Sequence, residues 1–376
     1  MKLIYCMASV YNPGGMERVL LNKVSWFAAR DGYEVMVVTT DQQGRPPFFQ
    51  FPENVRLIDL GINYSIDNDR SPIAKITNYF RKRRKHRKAL TDLLLKERAD
   101  VVISLYPSES SFIPKIKDGS KKVIELHLNR YFRQQYNRSG LLGLADKYRS
   151  RQDVKIAKRF DIFVVLTRED AEYWGHLPNL EVIPNAAPDA PDITYDKTSR
   201  RVIAVGRLDY QKGFDRLVDA WALIPEETRK EWRLDIFGQG EWKEMLEGRI
   251  KSLGIGDSAS INPPTKDIFK EYASSAFIVM SSHFEGLPMV LIEAMSCGLP
   301  GVCFDFKCGP QDIIQDGKNG LLVPEGDVRS LAKAMEKLML DESLRIQMSG
   351  EALGVRDAYS EERVMEQWEN CFKSIL

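Results

Sequence analysis

A chain of 376 residues is long enough for two domains, each burying its own core. With 43% apolar and 28% charged residues it has an ordinary globular composition, and no apolar run approaches the ~18–20 residues of a membrane span. Net charge is only +1, yet residues 1–195 hold 31 Lys and Arg against 23 Asp and Glu, while the remainder holds 23 against 30. The first half is therefore expected to meet an anionic partner or surface. Five cysteines (Cys6, Cys297, Cys303, Cys308 and Cys371) are odd in number and mostly lie in apolar runs, so reduced core thiols are expected. Cys303 and Cys308 lack an accompanying His, which makes them a poor zinc pair. The apolar start is too short for a signal peptide, and a cytoplasmic location is the default expectation.

In chain order, Lys2–Met7 reads as a buried strand leading into Asn12-Pro-Gly-Gly15 and a helix with Val19, Leu20, Val24 and Phe27 on its apolar side. Further strand runs are Val35–Thr39, Val101–Leu105, Val123–Leu126 and Ile162–Leu166. Between them, residues 79–88 carry seven Lys or Arg in ten positions, with Phe80 before the run and Leu90, Leu93 and Leu94 after it. Eight consecutive basic or His residues are expected to surround more than two helical turns. A solvated helix is the plain reading of this run; docking of Arg81, Lys82, Arg83, Arg84 and Lys85 on anionic phospholipid is the sharper one, slightly favoured. Nucleic-acid binding is not expected, because no reading motif or interleaved aromatics accompany the run.

Pro184–Asp192 is a Pro-rich stretch suited to a domain boundary. Then Arg201–Gly206 opens a second series in the manner of the first, followed by a helix with Phe214, Leu217, Val218, Ala220 and Trp221 and by strand runs Arg233–Phe237, Phe277–Met280 and Gly301–Phe304. Short apolar runs alternating with helices imply parallel sheets covered on both faces, that is, two doubly wound α/β domains facing across a cleft. The expected division is 1–190, 191–358 and a C-terminal amphipathic helix from 359 to 376 that packs back on the first domain. Ser360–Leu376 carries Val364, Trp368, Cys371 and Phe372 on one side.

The most informative segment is Glu285-Gly-Leu-Pro-Met-Val-Leu-Ile-Glu293-Ala-Met-Ser-Cys-Gly298. Pro288 suits the first helical position and Gly298 the residue past the last turn. Apolar residues all round the axis predict a helix buried on every side, in which Glu293 needs a partner. Glu285 precedes the helix start, where unpaired backbone N–H groups form an anion site. Two carboxylates beside such a start suit a phosphorylated, polyhydroxylated ligand.

These residues resemble the signature of retaining family 4 glycosyltransferases of the two-Rossmann-domain (GT-B) fold. Glu285-x7-Glu293 carries the resemblance, together with Val205–Gly213 (VGRLDYQKG), Phe237–Gly240 and Asp316–Pro324. Weaker echoes lie at residues 12–18 and 182–185. The resemblance implies transfer of a sugar from a nucleotide-diphosphate donor, UDP on family base rates, to a glycan or lipid-linked acceptor with retention, no required metal and no cofactor beyond the donor itself. It implies surface-glycan assembly at the inner membrane face.

Site roles follow from the same resemblance. Arg207 and Lys212 match the diphosphate clamp, a planar fork and a point charge that replace a metal against the leaving group. Gly14 and Gly15 match a loop that lets the backbone approach the phosphates, and Gly238, within the matching Phe237–Gly240, is expected at the donor. Glu293 is expected on the ribose hydroxyls and Glu285 on the sugar, with the amides of Gly286, Leu287 and Met289 available between them. His127 matches a histidine near the donor sugar. Two departures stand out: Ala186-Ala187-Pro188 follows Asn185 where Gly and an acidic residue are common, and Asp312 stands where Glu is usual. The alternatives are a GT-B nucleotide-sugar epimerase or phosphorylase, and a non-catalytic nucleotide-sugar-binding subunit; the intact Arg207, Lys212, Glu285 and Glu293 set argues against the last.

Overall fold

A computed structural model describes residues 1–67, 72–105, 108–133, 140–188 and 196–376. The chain forms two compact units. The first comprises Met1–Leu166, Trp174–Ile183 and Met365–Leu376, and the second Thr167–Tyr173 and Pro184–Val364. The boundary expected at residues 190 and 191 lies outside the described residues.

In the first unit, β1 (Lys2–Met7), β2 (Glu34–Thr39), β3 (Arg56–Asp59), β4 (Val101–Ser104), β5 (Lys121–Glu125), β6 (Ile162–Val165) and β7 (Leu180–Val182) form one sheet in the order β3-β2-β1-β4-β5-β6-β7. Every pairing is parallel, with Leu3 opposite both Val35 and Val101. The second unit repeats the plan with β8 (Arg201–Val205), β9 (Arg233–Phe237), β10 (Ala259–Asn262), β11 (Phe277–Met280), β12 (Gly301–Asp305) and β13 (Gly320–Pro324) in the order β10-β9-β8-β11-β12-β13. It too is parallel throughout. Both sheets are doubly wound α/β layers, as expected from the alternation of apolar runs and helices. The strand order reverses beside β1 and beside β8, and ligands of such sheets bind beyond the carboxyl ends at that reversal.

The helix Glu361–Lys373 begins in the second unit and ends packed in the first. Val364, Trp368 and Phe372 on its inner face are buried, Phe372 lies 5.6 Å from the Phe27 ring, and Glu369 accepts a 2.6 Å hydrogen bond from the Tyr33 hydroxyl. All five cysteines are free and buried.

Two expectations need correction. The helix after Glu285 runs Met289–Ser296, with Pro288 at its N-cap rather than its first position. Gly298 takes a left-handed φ of 89°, and Gly298 N–H to Met295 O (2.9 Å) with Leu299 N–H to Ala294 O (3.2 Å) closes the paired bonds of a Schellman end. This helix is not buried all round. Met289, Val290 and Glu293 form one half-exposed stripe, while Leu291, Ile292, Ala294, Met295 and Ser296 are buried.

The basic run likewise does not surround its helix, Pro72–Glu97, evenly. His86 is buried against Phe112, within 3.2 Å of the Tyr64 hydroxyl, and burial lowers its pKa to about 4, so it is neutral. Lys82 and Lys85 donate to the carbonyls of Asn63 and Gly61, and Arg83 to Ser111 Oγ. Arg81, Arg84, Arg87 and Lys88 remain exposed along one side with Phe80, and Leu90 and Leu94 face the core. Among the described residues, no helix is long and apolar enough to cross a membrane.

Candidate active site

The second unit gathers most of the expected site residues beyond β8 and β11. After β8 the chain makes a short 3-10 turn, Tyr210–Lys212, whose N–H at Lys212 is capped by Asp209 Oδ1 at 3.3 Å. Gly213 follows with φ 58°, where a Cβ would run into the Ser281 carbonyl. That turn sends Lys212 back over Gly206, and a Cβ there would lie 2.9 Å from Lys212 Cε. Smallness at Gly206 therefore makes the channel for the lysine stem.

Lys212 Nζ ends 2.7 Å from Glu285 Oε1, a pair that is largely buried. Ser282 Oγ donates to the same oxygen at 2.9 Å, and Gln211 Nε2 to Glu285 Oε2 at 3.1 Å. Gln211 in turn accepts from Arg207 Nη2 at 2.9 Å. Arg207 itself is 69% exposed and leans on Asp209 at 3.3 Å, so its guanidinium is held at one edge but open on the other. Arg207, Gln211, Glu285 and Lys212 are thus one connected chain of charge-assisted bonds.

Glu293 sits on the open stripe of its helix and accepts from Tyr272 Oη at 3.3 Å. Burial raises its pKa to about 7, against the opposing pull of the Tyr272 hydrogen bond and the Lys212 charge. Among the described residues no arginine partners it, so it is not held there as half of a buried ion pair. The amides of Gly286 and Leu287 have no hydrogen-bond partner among the described residues, but Met289 N–H is taken by Leu287 O at 2.9 Å. Met289 therefore does not offer the amide expected of it.

Gly238 has a packing role that the sequence did not suggest. A Cβ there would overlap the Gly206 carbonyl oxygen, and one at Gly240 the backbone of Leu208. The loops after β8 and β9 touch backbone to backbone, also through Leu208 N–H to Gln239 O at 2.9 Å. Gly309, with φ 119°, similarly leaves room for the Pro288 ring and so supports the start of the Met289–Ser296 helix. Of the departures, Asp312 Oδ1 accepts from Arg168 N–H at 3.1 Å, and Ala187 N–H donates to Tyr359 O at 2.8 Å.

The first unit holds the remaining expected residues. Gly14 is the N-cap of the helix Gly15–Ala28 in an extended conformation, and Glu17 folds back over it, leaving no room for a Cβ. At Gly15 the space is open. Beyond β5, His127 Nε2 lies 2.8 Å from Glu125 Oε1, and the other carboxylate oxygen lies 2.6 Å from Lys23 Nζ.

Several participants escaped the sequence reading: Gln211, Ser282 and Tyr272 in the second unit, Glu125 and Lys23 in the first. Gln211 lay within a recognised motif, and Glu125 two residues before His127, but Lys23 and Tyr272 come from distant helices and carried no local signal. Among the described residues, no three His, Cys, Asp or Glu side chains come together as a metal-binding group.

Residues 189–353 match the family model "Glycosyl transferases group 1" and residues 13–190 the model "Glycosyltransferase Family 4". Over 98% of both chains, the protein is 28% identical to an uncharacterized glycosyltransferase of Haemophilus influenzae. It is 37% identical to the amylovoran biosynthesis glycosyltransferase AmsD of Erwinia amylovora over 54% of this chain and 60% of that one. Among solved structures it superposes on TarM with TM-score 0.79 at 16% identity, covering 99% of this chain and 98% of that one. An S. aureus TarM mutant in complex with Fondaparinux, alpha-GlcNAc-glycerol and UDP gives TM-score 0.75 at 16% identity, covering 99% of each. The chain is a glycosyltransferase of the GT-B fold, its first half like that of glycosyltransferase family 4 and its second like that of glycosyl transferases group 1.

Proposed function

We propose that this glycosyltransferase moves a sugar from a UDP-linked donor to a glycan or lipid-linked acceptor, with retention of configuration and without a metal. The observation that carries the reading is the Lys212–Glu285 pair set between an outward Arg207 and a half-exposed Glu293. Breaking the anomeric bond leaves negative charge on the diphosphate, and Arg207 and Lys212 supply fixed cations for it. Glu293 accepts the ribose hydroxyls and Glu285 a hydroxyl of the transferred sugar, the amides of Gly286 and Leu287 lying between. Gly14 and Gly15 admit the phosphates to the first unit's backbone, and His127 acts beside the sugar. The acceptor attacks from the leaving-group face and its proton passes to the donor phosphate. UDP is favoured because a TarM mutant of the same fold was solved with it.

The first unit docks on anionic lipid through the exposed row Arg81, Arg84, Arg87 and Lys88, with Phe80 beside it. Each basic side chain near such a surface contributes up to ~1 kcal/mol.

Incubation with a panel of UDP-, GDP- and ADP-sugars and a membrane extract tests the transfer, with Lys212→Ala and Glu293→Ala alongside. Donor cleavage lost in both variants is the expected result. Failure of the wild type to bind any nucleotide sugar would sink the proposal, and binding without turnover would favour a non-catalytic subunit. For docking, the protein should sediment with phosphatidylserine vesicles, and sedimentation unchanged after neutralising Arg81, Arg84, Arg87 and Lys88 would remove that idea.

A further inference from the structure

Three side chains from three elements of the first unit meet in a buried line: Lys23 on the helix Gly15–Ala28, Glu125 at the end of β5, and His127 just beyond it. Glu125 is wholly buried and Lys23 nearly so. Lys23 Nζ also lies 4.0 Å over the ring of Trp368, so the C-terminal helix closes the far end of the line. A buried ion pair of this kind is a poor way to gain stability, and apolar residues would serve better. The arrangement therefore invites a functional explanation.

Burial opposes the charge on Glu125, but the attraction of Lys23 and the hydrogen bonds from His127 and Lys23 hold its pKa below the ordinary carboxylate value. The carboxylate is then acceptor only, so the ring nitrogen facing it carries the proton. The other titratable groups close by are neutral: burial raises Tyr5 on β1 and pushes Cys371 on the C-terminal helix up to about 12. Glu181 of β7, which acts on Cys371, lies on the exposed side of its strand. Lys23, whose own pKa burial lowers against the pull of Glu125, is the cation facing that carboxylate among the described residues.

We propose that Lys23 and Glu125 are positioning residues for His127: the carboxylate holds the imidazole as its Nε2–H tautomer, and the lysine cancels the carboxylate's charge so that the ring stays neutral. A neutral ring presents its Nδ1 lone pair, the partially negative end, where positive charge develops at the anomeric carbon. An imidazolium at the same place would repel that charge. A carboxylate alone would draw a proton onto the ring, so orientation without charging needs both partners. The inference rests on the reading that His127 acts beside the donor sugar.

The test follows the imidazole nitrogens of the full-length protein by 15N NMR across pH, with Glu125→Gln, Lys23→Met and the double variant, and with donor turnover measured in parallel. Only four histidines need assignment, and His127→Gln identifies the signal. In the wild type, His127 should be the Nε2–H tautomer at neutral pH. Lys23→Met should move its protonation midpoint upward by about a pH unit or more, and the acid limb of kcat with it. Glu125→Gln should mix the tautomers and lower kcat about 10–100-fold, the range seen when other functional histidines lose their carboxylate, with little change in KM. In the double variant, which leaves no unpaired charge and so protects the fold, the midpoint should fall back below that of Lys23→Met. A merely structural role would produce that reversal without the accompanying fall in kcat. A His127 spectrum unchanged in all three variants would overturn the inference. Spectra that shift as expected with unchanged turnover would instead overturn the placement of His127 at the sugar, and the positioning role with it.

Discussion

Replacing Glu293 by Gln should make the protein more stable at alkaline pH and its donor binding indifferent to pH. Burial raises the Glu293 pKa from its ordinary 4.5 to about 7, so the folded state holds this proton more tightly than the unfolded chain does. The stabilising contribution is complete below about 4.5 and is lost as pH rises through about 7. Converted to free energy, the gap corresponds to at most about 3 kcal/mol, the cost of carrying an ionised Glu293 above neutrality. Gln cannot ionise and escapes that cost. In urea unfolding of the full chain, the second unit of Glu293→Gln should match wild type near about pH 5 and exceed it near about pH 8.5 by up to that amount. Donor binding should move the opposite way. Calorimetric titration with a UDP-sugar should show wild-type affinity about tenfold weaker at about pH 6 than at about pH 8, because the contact proposed between Glu293 and the ribose hydroxyls needs the anion, whereas the Gln variant binds weakly at both. Parallel stability profiles for the two proteins across that range would refute the argument. They would mean that Glu293 titrates as an ordinary exposed carboxylate and is not held for a ligand.

Two further outcomes follow from packing. Trp368→Ala should destabilise the first unit by about 3–5 kcal/mol, because it empties a fully enclosed site between Lys23 and Phe372; loss of protection from hydrogen exchange in the first unit, with the second unaffected, is the measurement. Gly238→Ala should separate the loops after β8 and β9, since the added methyl group overlaps the Gly206 carbonyl. Its effect should appear as lost donor binding together with a lowered melting temperature, and a variant that melts like wild type would contradict the close backbone contact.

What sequence alone determined was the interior of each sheet, and it singled out the charged residues that the structure gathers beyond β8 and β11. The central strands are continuous apolar runs because both faces are buried, and that pattern is readable without coordinates. The four strands it did not reveal, β3, β7, β10 and β13, are the four sheet edges; β3, β7 and β10 are short and mostly exposed or half-buried, whereas the run Leu321–Val323 of β13 lies inside the Asp316–Pro324 motif. Arg207, Lys212, Glu285 and Glu293 were singled out because the motifs that hold them resemble those of family 4 glycosyltransferases. Only the tertiary structure decided how those charges are shared. Lys212 and Glu285 are 73 positions apart, Lys23 and Glu125 are 102 apart, and Tyr272 reaches Glu293 from another helix. Such pairings depend on which strand ends lie side by side, and strand order is not a local property of the chain. The same holds for the stripe of the Met289–Ser296 helix that stays open and for the basic helix with one exposed row. Apolar periodicity records how much of a helix can be buried, and its neighbours decide which side is left to meet a ligand.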